Sequence, residues 1–439
     1  MIKLNSLKIR IIIGIIFIIY LIIPFSIEAA EYSLIDIYKI ALVQSERIQM
    51  AQLDLYISQK GQEKAVAGLL PKVTAFGMYQ TSGVSEGYPG YGIKTYGLEL
   101  DKTMSLGGAE IIAYKMSKIA IDKSEHDLKT VKADYLLEVT TSFINILRAK
   151  KAVEICEINV ARLKNHRDAA LIRLKVGETI KTAVLRAEAE LSGANADLIK
   201  AQNGLKLAKA VLARLIGITE DYSIVETQEF VDLDDSQTIN QLKDMGIQNR
   251  MEVKSLELTG RILDQNINIA KSSFWPVLSF QLAYSNMFLT PAPQYINAEG
   301  LYVGLSISYP IFEGGIRRME LNEAEANRRK AALALSELKK SLQIEIESIY
   351  SEYITQKDVL TSIASQVEFA KGNYNLVSKQ FQYGLVTSLD VMDANNVLSR
   401  SETALVDTRY NYQLLLVKLK RATGTLLPDI ETKMAEKHE

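Results

Sequence analysis

Asp390 and Asp393, three residues apart, are the most chemically suggestive pair in the chain. On a helix that spacing puts both carboxylates on one face. Repeated around an axis they would form two stacked rings of negative charge, attracting cations and repelling anions across a narrow opening. A plainer role also suits them, because acids near a helix N-terminus complement its dipole. Other groupings carry less chemistry. Gly83-Val-Ser-Glu-Gly87 has the G-x-S-x-G pattern of serine hydrolases, which needs a strand-to-helix elbow and a histidine partner. It lies instead in a hairpin loop, and the histidines are His126, His166 and His438, the first two in long helical segments. No H-E-x-x-H, C-x-x-C or phosphate-binding glycine loop occurs. Cys156, the one cysteine, reads as a packing residue. The residues therefore point to no enzyme, metal site or cofactor.

The elements that must position the aspartates come in duplicate. Gly107-Gly108 recurs as Gly314-Gly315, Gly177 as Gly384, Ala187 as Ala394, Leu191 as Leu398 and Gly217 as Gly424, all at an offset of 207. Upstream of the double glycine the offset is 205, matching Ile48, Ala51 and Pro71 to Val253, Leu256 and Pro276. Solenoid repeats span roughly 20 to 50 residues, so each half here is a whole subdomain. The chain divides into a signal segment (1–30), a first half (31–218), an acidic equatorial linker (219–238), a second half (239–425) and a tail (426–439). Lys3, Lys8 and Arg10, then the apolar run 11–23, Pro24 and Ala29-Ala30 make a secretory signal. The run falls short of the ~20 apolar residues of a membrane helix. Lysine plus arginine (51) balance aspartate plus glutamate (52) without a long basic run, which argues against nucleic acid as a partner.

Prolines stand at 24, 71, 89, 276, 291, 293, 310 and 428, leaving 90–275 and 311–427 free of them. Since proline costs about 3 kcal/mol inside a helix, those spans permit very long helices. Leu136, Val139, Phe143, Ile146 and Leu147 show the spacing. Helices are expected over 108–175 and 315–382, each on the order of 100 Å, then over 182–215 and 388–422 beyond the tip glycines, and over 34–70 and 239–273 before the strands. Such helices must pair lengthwise. The inserts 71–106 and 276–313 alternate instead. Leu278, Phe280, Leu282 and Tyr284 interleave with Ser279, Gln281, Ala283 and Ser285, and Leu301, Val303, Leu305 and Ile307 with Tyr302, Gly304, Ser306 and Ser308. Tyr96, Leu98 and Leu100 alternate with Gly97, Glu99 and Asp101, while 73–79 is patterned more weakly. Period-two strands of roughly ten residues suit a membrane barrel. Trp275 at one strand end, with Tyr284, Phe288, Tyr295 and Tyr302 towards the other, suggests interfacial girdles, a core position being the alternative for Trp275. Four strands cannot close a barrel, and open edges in lipid cost several kcal/mol per backbone group. Three chains would supply twelve strands; two would supply eight, too tight for an open lumen.

The duplicated order of helix, strand pair, double glycine (Ser105-Leu-Gly-Gly108; Phe312-Glu-Gly-Gly315), long helix, glycine tip and second helix resembles the TolC family of outer-membrane efflux proteins. The most specific stretch is Phe381-Gln-Tyr-Gly-Leu-Val-Thr-Ser-Leu-Asp-Val-Met-Asp-Ala394. The resemblance spans essentially the whole mature chain. It implies a mainly α protein with membrane β-strands: a homotrimer whose twelve-stranded outer-membrane barrel continues into a long periplasmic α-helical barrel. Its role would be a passive exit duct of a tripartite efflux or type I secretion system, partnered by a periplasmic membrane-fusion adaptor, an inner-membrane pump and outer-membrane lipid. Gly177, Glu178, Thr179, Gly384, Leu385 and Val386 would dock the adaptor, Gly107, Gly108, Gly314 and Gly315 would mark the strand–helix junctions, and Asp390 and Asp393 would line a closed periplasmic gate. In the family's best-known member an aspartate, a tyrosine and an arginine hold the tips shut; the matching positions here are Ala183, Phe381 and Val386. Closure is therefore expected to rest on packing or on other bonds. A coiled-coil scaffold without a pore is the rival reading, and it leaves the strand alternation without a purpose.

Overall fold

A computed structural model describes residues 30–81, 83, 92–219, 222–226, 237–290 and 297–436. Residues 1–29 of the signal segment, most of both hairpin loops with Ser85 and Tyr295, much of the acidic linker and His438 lie outside the described residues. In the first half, β1 (Ala30–Tyr32), α1 (Leu34–Gln44), α2 (Glu46–Ala67), β2 (Lys72–Thr81), β3 (Gly92–Ser105), α3 (Ala109–Lys175) and α4 (Lys181–Ile216) follow one another. After β4 (Tyr222–Ile224) the order repeats as α5 (Ile239–Asn249), α6 (Met251–Ser272), β5 (Val277–Thr290), β6 (Asn297–Ser308), α7 (Ile316–Gln382) and α8 (Ser388–Ala422), and α9 (Leu426–Glu436) closes the chain.

Freedom from proline produces the two longest elements. Both α3 and α7 run 67 residues, about 100 Å at 1.5 Å per residue. They pack along α4 and α8 respectively, and α3 also lies along α6 and α8 of the other half. No helix among the described residues is long and apolar enough to cross a membrane.

The helices expected over 34–70 and 239–273 are each broken in two. The breaks fall on Ser45 and Arg250, 205 residues apart, where ψ swings to 119° and 125°. Neither proline nor glycine is needed. Ser45 ends α1 and caps α2, its hydroxyl accepting the Ile48 N–H, while the Arg250 guanidinium pairs with Glu252 and Glu345. The bends lay the short helices onto the long ones, burying Ile37 and Leu242. Both α1 and α5 begin with a capping box, Ser33 with Asp36 and Thr238 with Gln241.

The four long strands form one antiparallel sheet in the order β2-β3-β5-β6. Register explains why the weakly patterned β2 joins it. Val73, Leu100, Leu282 and Val303 form one cross-strand row and Ala75, Leu98, Tyr284 and Leu301 another, so the apolar residues share a face. Lys72, Asp101, Gln281 and Gly304, then Thr74, Glu99, Ala283 and Tyr302, form rows on the opposite face. Glu99 there accepts a hydrogen bond from Gln281.

The main core sits midway along the helices, where α1, α3, α4, β4 and α9 bring together Ile37, Leu136, Phe143, Ile216, Ile224 and Ile430. Two of its parts were not foreseen: Tyr222–Ile224 of the linker pairs in parallel with Ala30–Tyr32, and the tail is a helix.

Candidate gate and docking site at the helix tips

Two turns of the same design reverse the long helices. Gly177 and Gly384 adopt left-handed φ values of 78° and 77°, a region costing other residues roughly 1–2 kcal/mol. The next amides reach back in parallel fashion, Glu178 N–H to Arg173 O at 2.9 Å and Leu385 N–H to Gln380 O at 3.0 Å, which satisfies carbonyls that the helix ends would otherwise orphan. The expected turn geometry is present in both halves.

The two tips are tied to each other within the chain. Arg173 donates from Nη1 to the Phe381 carbonyl at 2.7 Å and from Nε to Glu178 at 3.1 Å. Its guanidinium lies 4.9 Å from the centre of the Phe381 ring, and the His166 ring lies 4.9 Å away as well. Phe381 is only 4% exposed. His166 Nε2 in turn sits 2.8 Å from Ser388 Oγ at the start of α8, and burial pulls the imidazole below its ordinary pKa. Higher up, Arg162 makes a two-pronged pair with Glu402 at 2.6 and 3.0 Å, and Asn395 donates to Asn159 at 2.8 Å. Sequence reading missed this ladder between α3 and α8. Arg173 carried a faint signal, a cation in the last helical turn, but His166 carried none.

Phe381, at one of the three positions that depart from the family pattern, is thus a packed anchor between a cation and an imidazole. Ala183 and Val386 line an open groove of about 510 Å³ between the tips, with Ile180, Arg186 and Leu389. Leu385 is 74% exposed and Tyr383 81%, so the tips end in apolar side chains. Glu178 is exposed and Thr179 half-buried beside them.

Asp390 has a local duty. Its Oδ2 accepts from the Thr387 N–H at 2.7 Å and from the Thr387 hydroxyl at 2.6 Å, closing a capping box at the start of α8. The Thr387 hydroxyl first, then its amide, holds the carboxyl below the usual aspartate pKa. Asp393, one turn on, shares the exposed face. Both acids are solvent-facing in a single chain; the capping role is filled at Asp390, and a ring needs further chains.

At the far end of the long helices, Gly108 and Gly315 open α3 and α7 in the left-handed region. Beside Gly108, a Cβ on Gly107 would fall 2.7 Å from Ser272 Cα, so the junction is packed backbone to backbone. Arg317 stacks near Phe274 and Tyr309 and donates to the Ser273 and Pro310 carbonyls. Trp275 is 59% exposed and Phe312 85%, so Trp275 is not part of a core within the chain.

The model of the outer membrane efflux protein family matches residues 37–218 and 243–425, one match for each half. The outer membrane protein TolC of Escherichia coli (strain K12) is 22% identical over 413 residues, 91% of this chain and 84% of that protein. TolC of Vibrio cholerae is 22% identical over 329 residues, 71% of this chain and 74% of that protein. A crystal structure of CusC, from work on conformational changes accompanying folding and transmembrane channel formation, superposes with a TM-score of 0.81 at 18% identity, covering 89% of this chain and 92% of that one.

Proposed function

Because the chain belongs to the outer membrane efflux protein family, we propose that three copies build one passive exit duct through the outer membrane. The family is one of channels, not of enzymes. The observation that carries the reading is the four-stranded sheet with one apolar and one polar face, continuous with helices of about 100 Å. Among the described residues its edges β2 and β6 have no further strand partner. In lipid such edges must find partners, and three chains supply twelve strands, an even number in the range of outer-membrane barrels. The helices then enclose the periplasmic stretch of the same lumen. A scaffold without a pore has no use for this sheet.

The substrate enters at the tips and leaves at the barrel. A periplasmic membrane-fusion adaptor would meet the exposed apolar tips around Gly177, Glu178, Thr179, Gly384, Leu385 and Val386, and an inner-membrane pump would supply the energy. Exposed Trp275 and Phe312 would sit at the lipid boundary, next to the junction glycines Gly107, Gly108, Gly314 and Gly315. Residues 31–218 and 239–425 act as two equivalent staves, with 219–238 and 426–439 forming the equatorial belt and 1–30 the export signal. The gate reading for Asp390 and Asp393 draws support from their shared exposed face on α8. The experiment is fractionation: a heat-modifiable trimer in outer-membrane fractions supports the duct, and a soluble periplasmic monomer defeats it.

A further inference from the structure

Resting on the trimeric reading above, in which a nearly sixfold tube makes the seam between neighbouring chains repeat the seam inside each chain, we propose that this seam is clasped by an ion pair between Glu337 of one chain and Arg214 of the next. Inside the chain, α3 of the first half packs on α6 and α8 of the second, and β3 pairs with β5. The offsets of 205 and 207 convert those contacts into α7 on α2 and α4 of the neighbouring chain, with β6 beside β2. The faces concerned are bare in one chain. Leu53 of α2 is 59% exposed although its counterpart Leu258 is half-buried, and Leu185 of α4 is 53% exposed although its counterpart Met392 is 2% exposed. On α7, Phe369 is 75% exposed, whereas its counterpart Arg162 is covered by Glu402 of α8. Equivalent positions differ because one half is covered by the other and the second set of faces is not.

The clasp follows from how the charges differ between halves. Inside the chain, Arg421 at the end of α8 is 6% exposed and is held by Asp134 of α3 at 2.6 Å and by Glu252 of α6. The counterparts are Arg214, Ser341 and Arg47, so Arg214 loses both acids. One turn before Ser341, however, the second half has Glu337 where the first has Thr130. The acid has moved four residues along the same helix face. Thr130, Ala133, Glu252 and Arg421 line one cavity of about 150 Å³. On α7 Glu337 and Lys340, which match Thr130 and Ala133, line with Ser341 an open groove of about 420 Å³, half of an equivalent cavity whose other half, with Arg214, comes from the next chain. Register is set nearby: Asp127 accepts from Ser255 at 2.5 Å inside the chain, and their counterparts Ala334 and Met50 are an apolar pair.

Charge reversal in the full-length protein tests the clasp. Glu337→Arg and Arg214→Glu should each lower the trimer population in a detergent titration on the order of tenfold, summed over three seams, and the double reversal should restore most of it. In a Cys156→Ala background, Met50→Cys with Ala334→Cys should crosslink chains on oxidation, whereas Ile57→Cys with Ala334→Cys should not. A double reversal no better than the single ones, or crosslinking only in the shifted pair, overturns the proposal while the trimer stands. If reversal prevents folding, the cysteine pair still decides. A native mass other than three chains instead defeats the trimeric reading itself.

Discussion

Phe381 shows how a single position can change the way a tip is held. Its ring is packed between Arg173 and His166, so Phe381→Ala removes a group that both touch. Buried phenylalanine-to-alanine changes cost about 3–5 kcal/mol, and here the loss is local: amide exchange across 381–389 should accelerate and single-channel recordings should show a leaky state. Unchanged exchange would remove the anchor role. His166 adds a pH dependence of defined sign. Burial lowers its native pKa, so the unfolded state binds the proton more readily, and tip stability is complete above about 6.5 and declines as pH falls from there towards the native value. Protection of the first turn of α8 should therefore drop between pH 7 and about 5, and His166→Asn, which can keep the Ser388 bond, should flatten that profile. A profile that survives the substitution assigns the titration elsewhere. Asp390 was legible as a helix-start acid because its spacing from Thr387 is local. His166 and Ser388 stand 222 residues apart, and nothing short-range brings them together.

At the scale of elements, the turns and long helices were readable because each rests on local chemistry: absence of proline, apolar spacing and a glycine at the reversal. Gly384→Ala tests that logic. Its left-handed backbone should cost about 1–2 kcal/mol, with further strain from Arg173 Nη2, 3.0 Å from the new Cβ, and the measured unfolding midpoint should fall accordingly. No change would mean that the turn relaxes freely. The breaks at Ser45 and Arg250 were less legible for opposite reasons. Ser45 followed by Glu46 is an ordinary cap pattern hidden in a continuous helical period, and Ser45→Ala should cost about 1 kcal/mol in thermal unfolding. Arg250 has no cap chemistry; it breaks the helix where Glu252 and Glu345 fix its guanidinium, and the Glu345 contact exists only after α6 meets α7. The weak alternation of β2 was likewise settled by its partner, since pairing with β3 places Val73 and Ala75 opposite Leu100 and Leu98.

At the scale of the whole molecule, the duplication accounts for the proposed architecture: two similar units per chain which, in three chains, would build one nearly sixfold tube. The halves are not equal, however, and only the second carries paired acids behind its tip, Asp390 and Asp393, against Ala183 and Arg186 in the first. Replacing both with asparagine removes charge while keeping a side chain that can still cap α8, so cation preference in planar bilayers should fall and the fold should persist; unchanged preference would mean that the selectivity lies elsewhere. Within the equatorial belt expected from the linker and the tail, the pairing of β1 with β4 escaped prediction because both strands are only three residues long, below any readable period. The central claim, a conducting channel, is tested most directly by reconstituting the purified protein in a planar bilayer. Discrete current steps, larger and longer-lived in Phe381→Ala than in the native chain, are the predicted result; a membrane that stays silent with both proteins inserted would contradict the account.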